Sequence, residues 1–147
     1  RAVVSYDDKL AAMLERDEGR VKHVYFDSLG YATIGVGHLV DKRLGGGLPD
    51  SIIDALLAHD IAEKSAQLFA QFPWARKLDD ARKAVLVSMT FQLGIGGLLG
   101  FKRAMDAMSQ GSWNAAADRF LQSKVAREQA PIRWQRFAQQ IRSGQWQ

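Results

Sequence analysis

Residues Leu14 to Leu39 read LERDEGRVKHVYFDSLGYATIGVGHL, and this stretch decides the fold. Upstream, Leu10, Met13 and Leu14 recur at helical spacing. Ser5, with Asp8 three positions on, has the form of a capping box and sets the helix start. The pattern stops at Gly19, which leaves Glu18 in the last turn. Asp17 falls inside the apolar stripe, where a charge needs a partner. Val24 to Asp27 then reads as a short strand. Ser28-Leu29-Gly30 reads as a three-residue turn with Gly30 left-handed, and Tyr31 to Val36 as the returning strand. Gly35 and Gly37 weaken a strand interior and signal a bend or a close backbone approach.

The stretch thus places one carboxyl, Glu18, at a helix exit and another, Asp27, at a hairpin tip. The negative pole of the helix and partial burial both favour a protonated Glu18, as a general acid requires. Thr33 alternates with Tyr31 and Gly35 on the returning strand, and its hydroxyl can hold a water. Two carboxyl groups flanking a sugar bond are the equipment of glycoside hydrolysis.

The residues Glu18-Gly19, Tyr25-x-Asp27 and Gly30-Tyr31-x-Thr33-Ile34-Gly35-x-Gly37-His38 resemble the phage lysozymes of the T-even type, the endolysin muramidases of glycoside hydrolase family 24. A second block, Phe91-Gln92-Leu93-Gly94 with Gly100-Phe101, is similar to the family's central helix and the turn after it. A third, Gln129 to Arg133 and then Arg142 to Trp146, is similar to its last helices. The segment from Val40 to Pro49 is short for the T-even enzyme and looks more like the lambdoid-phage members.

The resemblance implies an α+β, mostly α-helical lysozyme-like fold in a single domain, 1–147. A hairpin lobe (about 20–50) and a helical lobe (about 1–19 and 70–147) would be joined by a helix (about 50–70), with a cleft between the lobes. It implies hydrolysis of the β-1,4 bond between N-acetylmuramic acid and N-acetylglucosamine in peptidoglycan. Glu18, Asp27 and Thr33 would be catalytic, and Leu39, Phe91 and Gln92 would bind sugar. Asp17, His38, Asp60, Arg133 and Arg136 would support them, the two arginines pairing with Glu18 and Asp17, and His38 with Asp60. The family is similar to inverting enzymes, in which the carboxyl groups stand about 6.5–9.5 Å apart. It implies a monomer without cofactor or metal. The chain would be phage-encoded and made in the host cytoplasm. It would act on the wall from the periplasm, or be carried on the virion tail.

The rest of the chain reads as helices. Three consecutive glycines in VDKRLGGGL mark a flexible loop beside a solvated Lys42-Arg43 pair. Pro49-Asp50-Ser51 opens a helix with Ile53, Leu56, Leu57, Ile61 and Leu68 as its apolar stripe and Asp60 inside it. Pro73 ends that helix, and Asp79 or Asp80 caps the next. Ala84 to Leu93 is apolar almost all round and reads as a central buried helix, stopped by Gly94, Gly96, Gly97 and Gly100. Its Ser88, Thr90 and Gln92 need partners or a solvated face, and Gln92 is the candidate for the cleft. A short helix carries Phe101, Met105 and Met108 and ends at Gly111. Ser112 caps another, with Trp113, Ala116, Ala117, Phe120 and Leu121 inward. Pro131 begins the last, with Trp134, Phe137, Ala138 and Ile141 on one face and Ser143-Gly144 as its stop.

Composition narrows the alternatives. Apolar residues make up 47% of the 147, enough for a real core, and the absence of cysteine excludes disulfide and thiolate chemistry. The net charge of +4 favours anionic partners such as an acidic wall. Nucleic acid is disfavoured, since the aromatics sit on core stripes away from the basic residues. His23, His38 and His59 lack metal-ligand spacing, and there is no phosphate-binding loop. No apolar run reaches the roughly 20 residues of a bilayer span, so stable membrane insertion is not expected. RAVVSYDD is too short in apolar residues for a signal peptide. A start at Arg1 fits a processed chain or a domain of a longer protein. Two other functions remain open: a lytic transglycosylase on the same bond, which needs no water-activating partner, and a non-catalytic wall-binding module of lysozyme-like fold.

Overall fold

A computed structural model describes residues 4–41 and 46–147. The Lys42-Arg43 pair and the first of the three glycines lie outside the described residues. Elements run α1 (Tyr6–Glu18), β1 (Val21–Phe26), β2 (Ala32–Gly35), β3 (His38–Leu39), α2 (Asp50–Gln71), α3 (Asp80–Leu99), α4 (Lys102–Ser109), α5 (Trp113–Leu121) and α6 (Pro131–Ser143). Helices with one three-stranded antiparallel sheet, in the order β1-β2-β3, make this an α+β, lysozyme-like chain. It divides into two compact units, Arg1–Asp54 and Ala55–Gln147, and α1 groups with the sheet.

In the first unit Ser5 caps α1. Its side chain accepts from the Asp8 N–H at 3.1 Å while the Asp8 carboxylate takes the Ser5 hydroxyl at 2.8 Å. Gly19, at φ 79°, ends the helix directly after Glu18. Arg20 folds back onto Glu15 through two hydrogen bonds of 2.8 and 3.2 Å, fixing the exit direction. That bidentate guanidinium holds the Glu15 carboxyl below its ordinary range, by hydrogen bonding first and charge second. The strand-turn-strand runs as expected: Gly30 stands at φ 81°, and the Asp27 N–H donates to the Tyr31 carbonyl at 2.9 Å.

Two features of the sheet were not expected. β1 bulges between Val21 and Tyr25, and a third strand, β3, follows at once. The glycines flagged for a bend make it: Gly35 and Gly37, at φ 71° and 69°, turn the chain so that Ile34 pairs with His38 and Thr33 with Leu39.

The second unit carries the core. Leu68, Leu86, Met89, Met108, Phe120 and Trp134 are among the largest of its fully buried side chains. Trp134 sits at its centre, 5.7 Å from Phe101, 6.0 Å from Phe120 and 5.7 Å from Phe137 between ring centroids. Truncating such a residue to alanine costs about 3–5 kcal/mol. Asp79 caps α3, accepting the Arg82 N–H at 3.0 Å. The helix breaks at Gly94 (φ 72°, ψ 163°), the first of the expected stops, then runs on to Leu99. Gly144, at φ 68°, terminates α6.

Two local expectations are corrected, and one element was not anticipated. Ser112 precedes α5, but its side chain makes no capping bond. A π-helical turn, Val125–Gln129, leads into Pro131. Along α2 only Leu68 is buried, whereas Ile53, Leu56, Leu57 and Ile61 are 45–50% exposed. Leu57 and Ile61 line an open cavity of about 1040 Å³ with Phe69, Phe91, Phe137 and Trp146, so no side chain closes over them. Among the described residues no single helix is long and apolar enough to cross a membrane. The bent pair α3–α4 passes on length and composition alone, and it carries core residues.

Candidate active site

The end of α1 and the hairpin, both in the first unit, carry the two acids. Glu18 is exposed, so the expected contribution of burial does not hold. Its carboxyl end lies against the β2–β3 turn: a Cβ built on Gly37 would stand 3.2 Å from Glu18 Oε2 and 3.4 Å from its Cδ. A residue with a side chain there would crowd the acid, which gives the second glycine of the turn its purpose.

Asp27 sits just beyond β1, half-buried. One of its oxygens, Oδ1, accepts the N–H groups of Leu29 and Tyr31, each at 2.9 Å. This is the local satisfaction common for an Asp before a turn. It also locks the carboxylate and leaves Oδ2 without a hydrogen bond among the described residues. A carboxylate held by one oxygen can act through the other.

Thr33 is buried, at 4% exposure. Its hydroxyl donates to the Tyr31 carbonyl at 3.0 Å, so the proton is committed and the oxygen remains an acceptor. The backbone of Tyr31 thereby links Thr33 to Asp27, accepting from the first at its carbonyl and donating to the second from its N–H. Thr33 pairs with Tyr25 on one side and Leu39 on the other. Directly opposed residues share a face of a sheet, so Tyr25, Thr33 and Leu39 form one row.

The supporting residues fall as follows. Asp17 is exposed and paired with its neighbour Arg16 at 2.9 Å, not sunk in an apolar stripe; α1 has no buried residue. His38 Nε2 lies 2.6 Å from the Gly47 carbonyl, tying β3 to the following loop. Asp60 lies 3.3 Å from His59 Nδ1. In the second unit Arg133 and Arg136 line the cavity that Phe91 also lines. Gln92 accepts the indole N–H of Trp134 at 3.1 Å, a partner the sequence reading did not anticipate. The available signal was general: a buried tryptophan needs an acceptor for its N–H. Among the described residues no group of three His, Asp or Glu side chains is arranged to hold a metal ion.

The sequence model of the phage lysozyme family matches residues 15–136, a span that contains Glu18, Asp27, Thr33, Leu39, Phe91 and Gln92. The chain belongs to the phage lysozyme family. Among its relatives is the pre-baseplate central spike protein Gp5 of Enterobacteria phage T4, 32% identical over 132 residues. That match takes in 73% of this chain but only 23% of the spike protein's length. The probable T4-type lysozyme 1 of Dictyostelium discoideum is 28% identical, covering 90% of this chain and 92% of its own. The probable T4-type lysozyme 2 of the same organism is 26% identical over 74% of this chain and 79% of its own. Membership in this family supports a peptidoglycan hydrolase of the muramidase type.

Proposed function

We propose that this phage lysozyme cleaves the β-1,4 bond between N-acetylmuramic acid and N-acetylglucosamine with inversion, using Glu18 as acid and Asp27 as base. The arrangement of Asp27 carries the reading: two peptide N–H groups fix Oδ1, Oδ2 has no hydrogen bond among the described residues, and the Tyr31 carbonyl takes the Thr33 hydroxyl proton and leaves that oxygen an acceptor. In this mechanism Glu18 protonates the leaving glycosidic oxygen, and the anomeric carbon takes on oxocarbenium character. A water donates one hydrogen bond to Thr33 Oγ1 and gives a proton to Asp27 Oδ2 as it attacks the opposite face. Gly37 leaves the Glu18 carboxyl room to meet the substrate. Leu39, in the row beside Thr33, and Phe91 and Gln92 of the second unit are the proposed sugar contacts. Asp17, His38, Asp60, Arg133 and Arg136 serve as supports. The setting is lysis from within the cell or wall penetration from the virion; the likeness to a central spike protein supports the second.

The test is digestion of purified peptidoglycan with analysis of the products. Reducing muramic ends of inverted anomeric configuration are expected, with Glu18→Gln and Asp27→Ala folded but inactive. Anhydro-muramic ends, with Asp27→Ala still active, would replace the hydrolase with a transglycosylase. Binding without any turnover would make the chain a wall-binding module.

A further inference from the structure

Gly46 and Gly47 bring the chain after β3 back onto that strand. The Gly47 N–H donates to the Leu39 carbonyl at 3.0 Å, and the Gly47 carbonyl lies 2.6 Å from His38 Nε2. A carbonyl can only accept, so Nε2 carries the proton. Gly47 is thus held at both of its backbone polar groups by the two residues of one strand. One position earlier the approach is closer still. A Cβ built on Gly46 would overlap the Asp41 carbonyl oxygen and stand 2.9 Å from Leu39 Cγ. Only a residue without a side chain fits there, and its backbone lies against the Leu39 side chain. Leu39 in turn pairs with Thr33, so its side chain shares the face of the sheet that carries the Thr33 hydroxyl. Leu39 is half-buried, which leaves part of its surface for a ligand.

We infer that His38 and Gly46 are positioning residues: the return of the chain that they fasten sets where the Leu39 side chain stands beside Thr33, and Leu39 so placed seats a sugar ring at the site of the attacking water. The inference rests on the function proposed above and gives the segment after β3 a part in it. A leucine on a two-residue edge strand has several staggered conformations open to it. Left free, it would hold a sugar in several places, and only one of them suits attack by a water at Thr33. Gly46 and the His38–Gly47 bond restrict it before the glycan arrives, so binding does not have to order it.

The experiment measures kcat and KM on purified peptidoglycan, with a thermal melt of each variant. Leu39→Ala removes the seat, and its KM should rise about tenfold, the size of one partly lost apolar contact. His38→Leu removes the donor to Gly47, and its KM should rise about threefold, the size of one lost hydrogen bond, with kcat changing less. His38→Gln brings an amide N–H to the same carbonyl and should recover most of that loss. Gly46→Ala crowds Leu39 directly, and Gly46 is not among the left-handed glycines, so crowding is its whole effect. Its KM should rise at least as far as that of His38→Leu. In the Leu39→Ala background neither change should raise KM further, whereas a purely structural role would act alike in both backgrounds. If Gly46→Ala does not fold, the His38 variants decide alone.

An unchanged KM in Leu39→Ala or in His38→Leu overturns the inference and leaves the muramidase reading standing. So does a loss in His38→Leu that His38→Gln fails to recover, or that appears undiminished in the Leu39→Ala background. A wild-type protein that binds glycan without turnover removes the muramidase reading, and the same variants, compared by Kd, then test the inference. A wild-type protein that neither binds nor cleaves glycan overturns both.

Discussion

The Glu18 carboxyl lies beside Gly37, close enough that a Cβ at Gly37 would stand 3.2 Å from Oε2. Gly35, two residues earlier, has nearly the same backbone angle but open space around the position of its missing Cβ. The pair separates backbone strain from crowding. Alanine at either site should cost about 1–2 kcal/mol, because both need the left-handed conformation. Only Gly37→Ala should also displace the acid. Lysis rate per folded molecule, set against the melting temperature of each variant, checks this. Equal activity losses in the two variants would mean that proximity to Glu18 is irrelevant.

Thr33 offers a different separation. The Tyr31 carbonyl accepts both the Thr33 hydroxyl and the Asp27 N–H, so it keeps one donor if the hydroxyl is removed. Thr33→Val should therefore lose only about 0.5–1.5 kcal/mol of stability. Turnover should drop about tenfold or more, since the attacking water loses its anchor. Thr33→Ser should retain most of both. Wild-type turnover in Thr33→Val would remove Thr33 from the proposed mechanism.

Arg82 closes the end of α6. Its Nε donates to the Ile141 carbonyl at 2.6 Å, its Nη2 to the Arg142 carbonyl at 3.2 Å and its Nη1 to Asp79 at 3.0 Å. The guanidinium also lies 4.1 Å from the Trp113 ring centroid. A lysine carries the charge but cannot reproduce the planar fork. Arg82→Lys should destabilise the second unit by about 1–3 kcal/mol, read by denaturant titration. Gly144→Ala should do likewise, because its Cβ would meet Nη1 at 2.8 Å.

Much of this was legible in the sequence, and the misses share a cause. Ser5, Gly19, Gly30, Pro73, Asp79, Pro131 and Gly144 each act through backbone chemistry confined to a few residues, and each does what its type and position indicate. The missed features depend on partners distant in sequence or on register. Nothing local to Arg82 announces that it will hold carbonyls near the end of the chain. Trp134 reads as core from its helical spacing, but its hydrogen bond to Gln92 is set by how α6 packs on α3. β3 has only two residues, below what alternation can reveal. Asp17 was misread because it shares a helical stripe with apolar residues; adjacent Arg16 satisfies it at the surface. Gly37 lies between these cases: its sequence signalled a close approach, and the fold supplied Glu18 as the group that approaches.

Asp79 supplies a pH test. Burial works to raise its pKa, but the Arg82 N–H, the guanidinium and the charge on it together prevail and hold the carboxyl below its ordinary value. A carboxylate whose native pKa is depressed stabilises the fold above its unfolded pKa, about 3.9 for Asp. That contribution is lost as pH falls through the lower native value. Asp79→Asn keeps a capping oxygen for α3 and removes the charge facing Arg82. The variant should therefore melt below the wild type at neutral pH, and the gap should narrow steadily once the buffer is taken below about pH 4. Thermal melts of both proteins across that range decide it: a gap that stays constant into strong acid would show that the Asp79–Arg82 charge pair contributes nothing to stability.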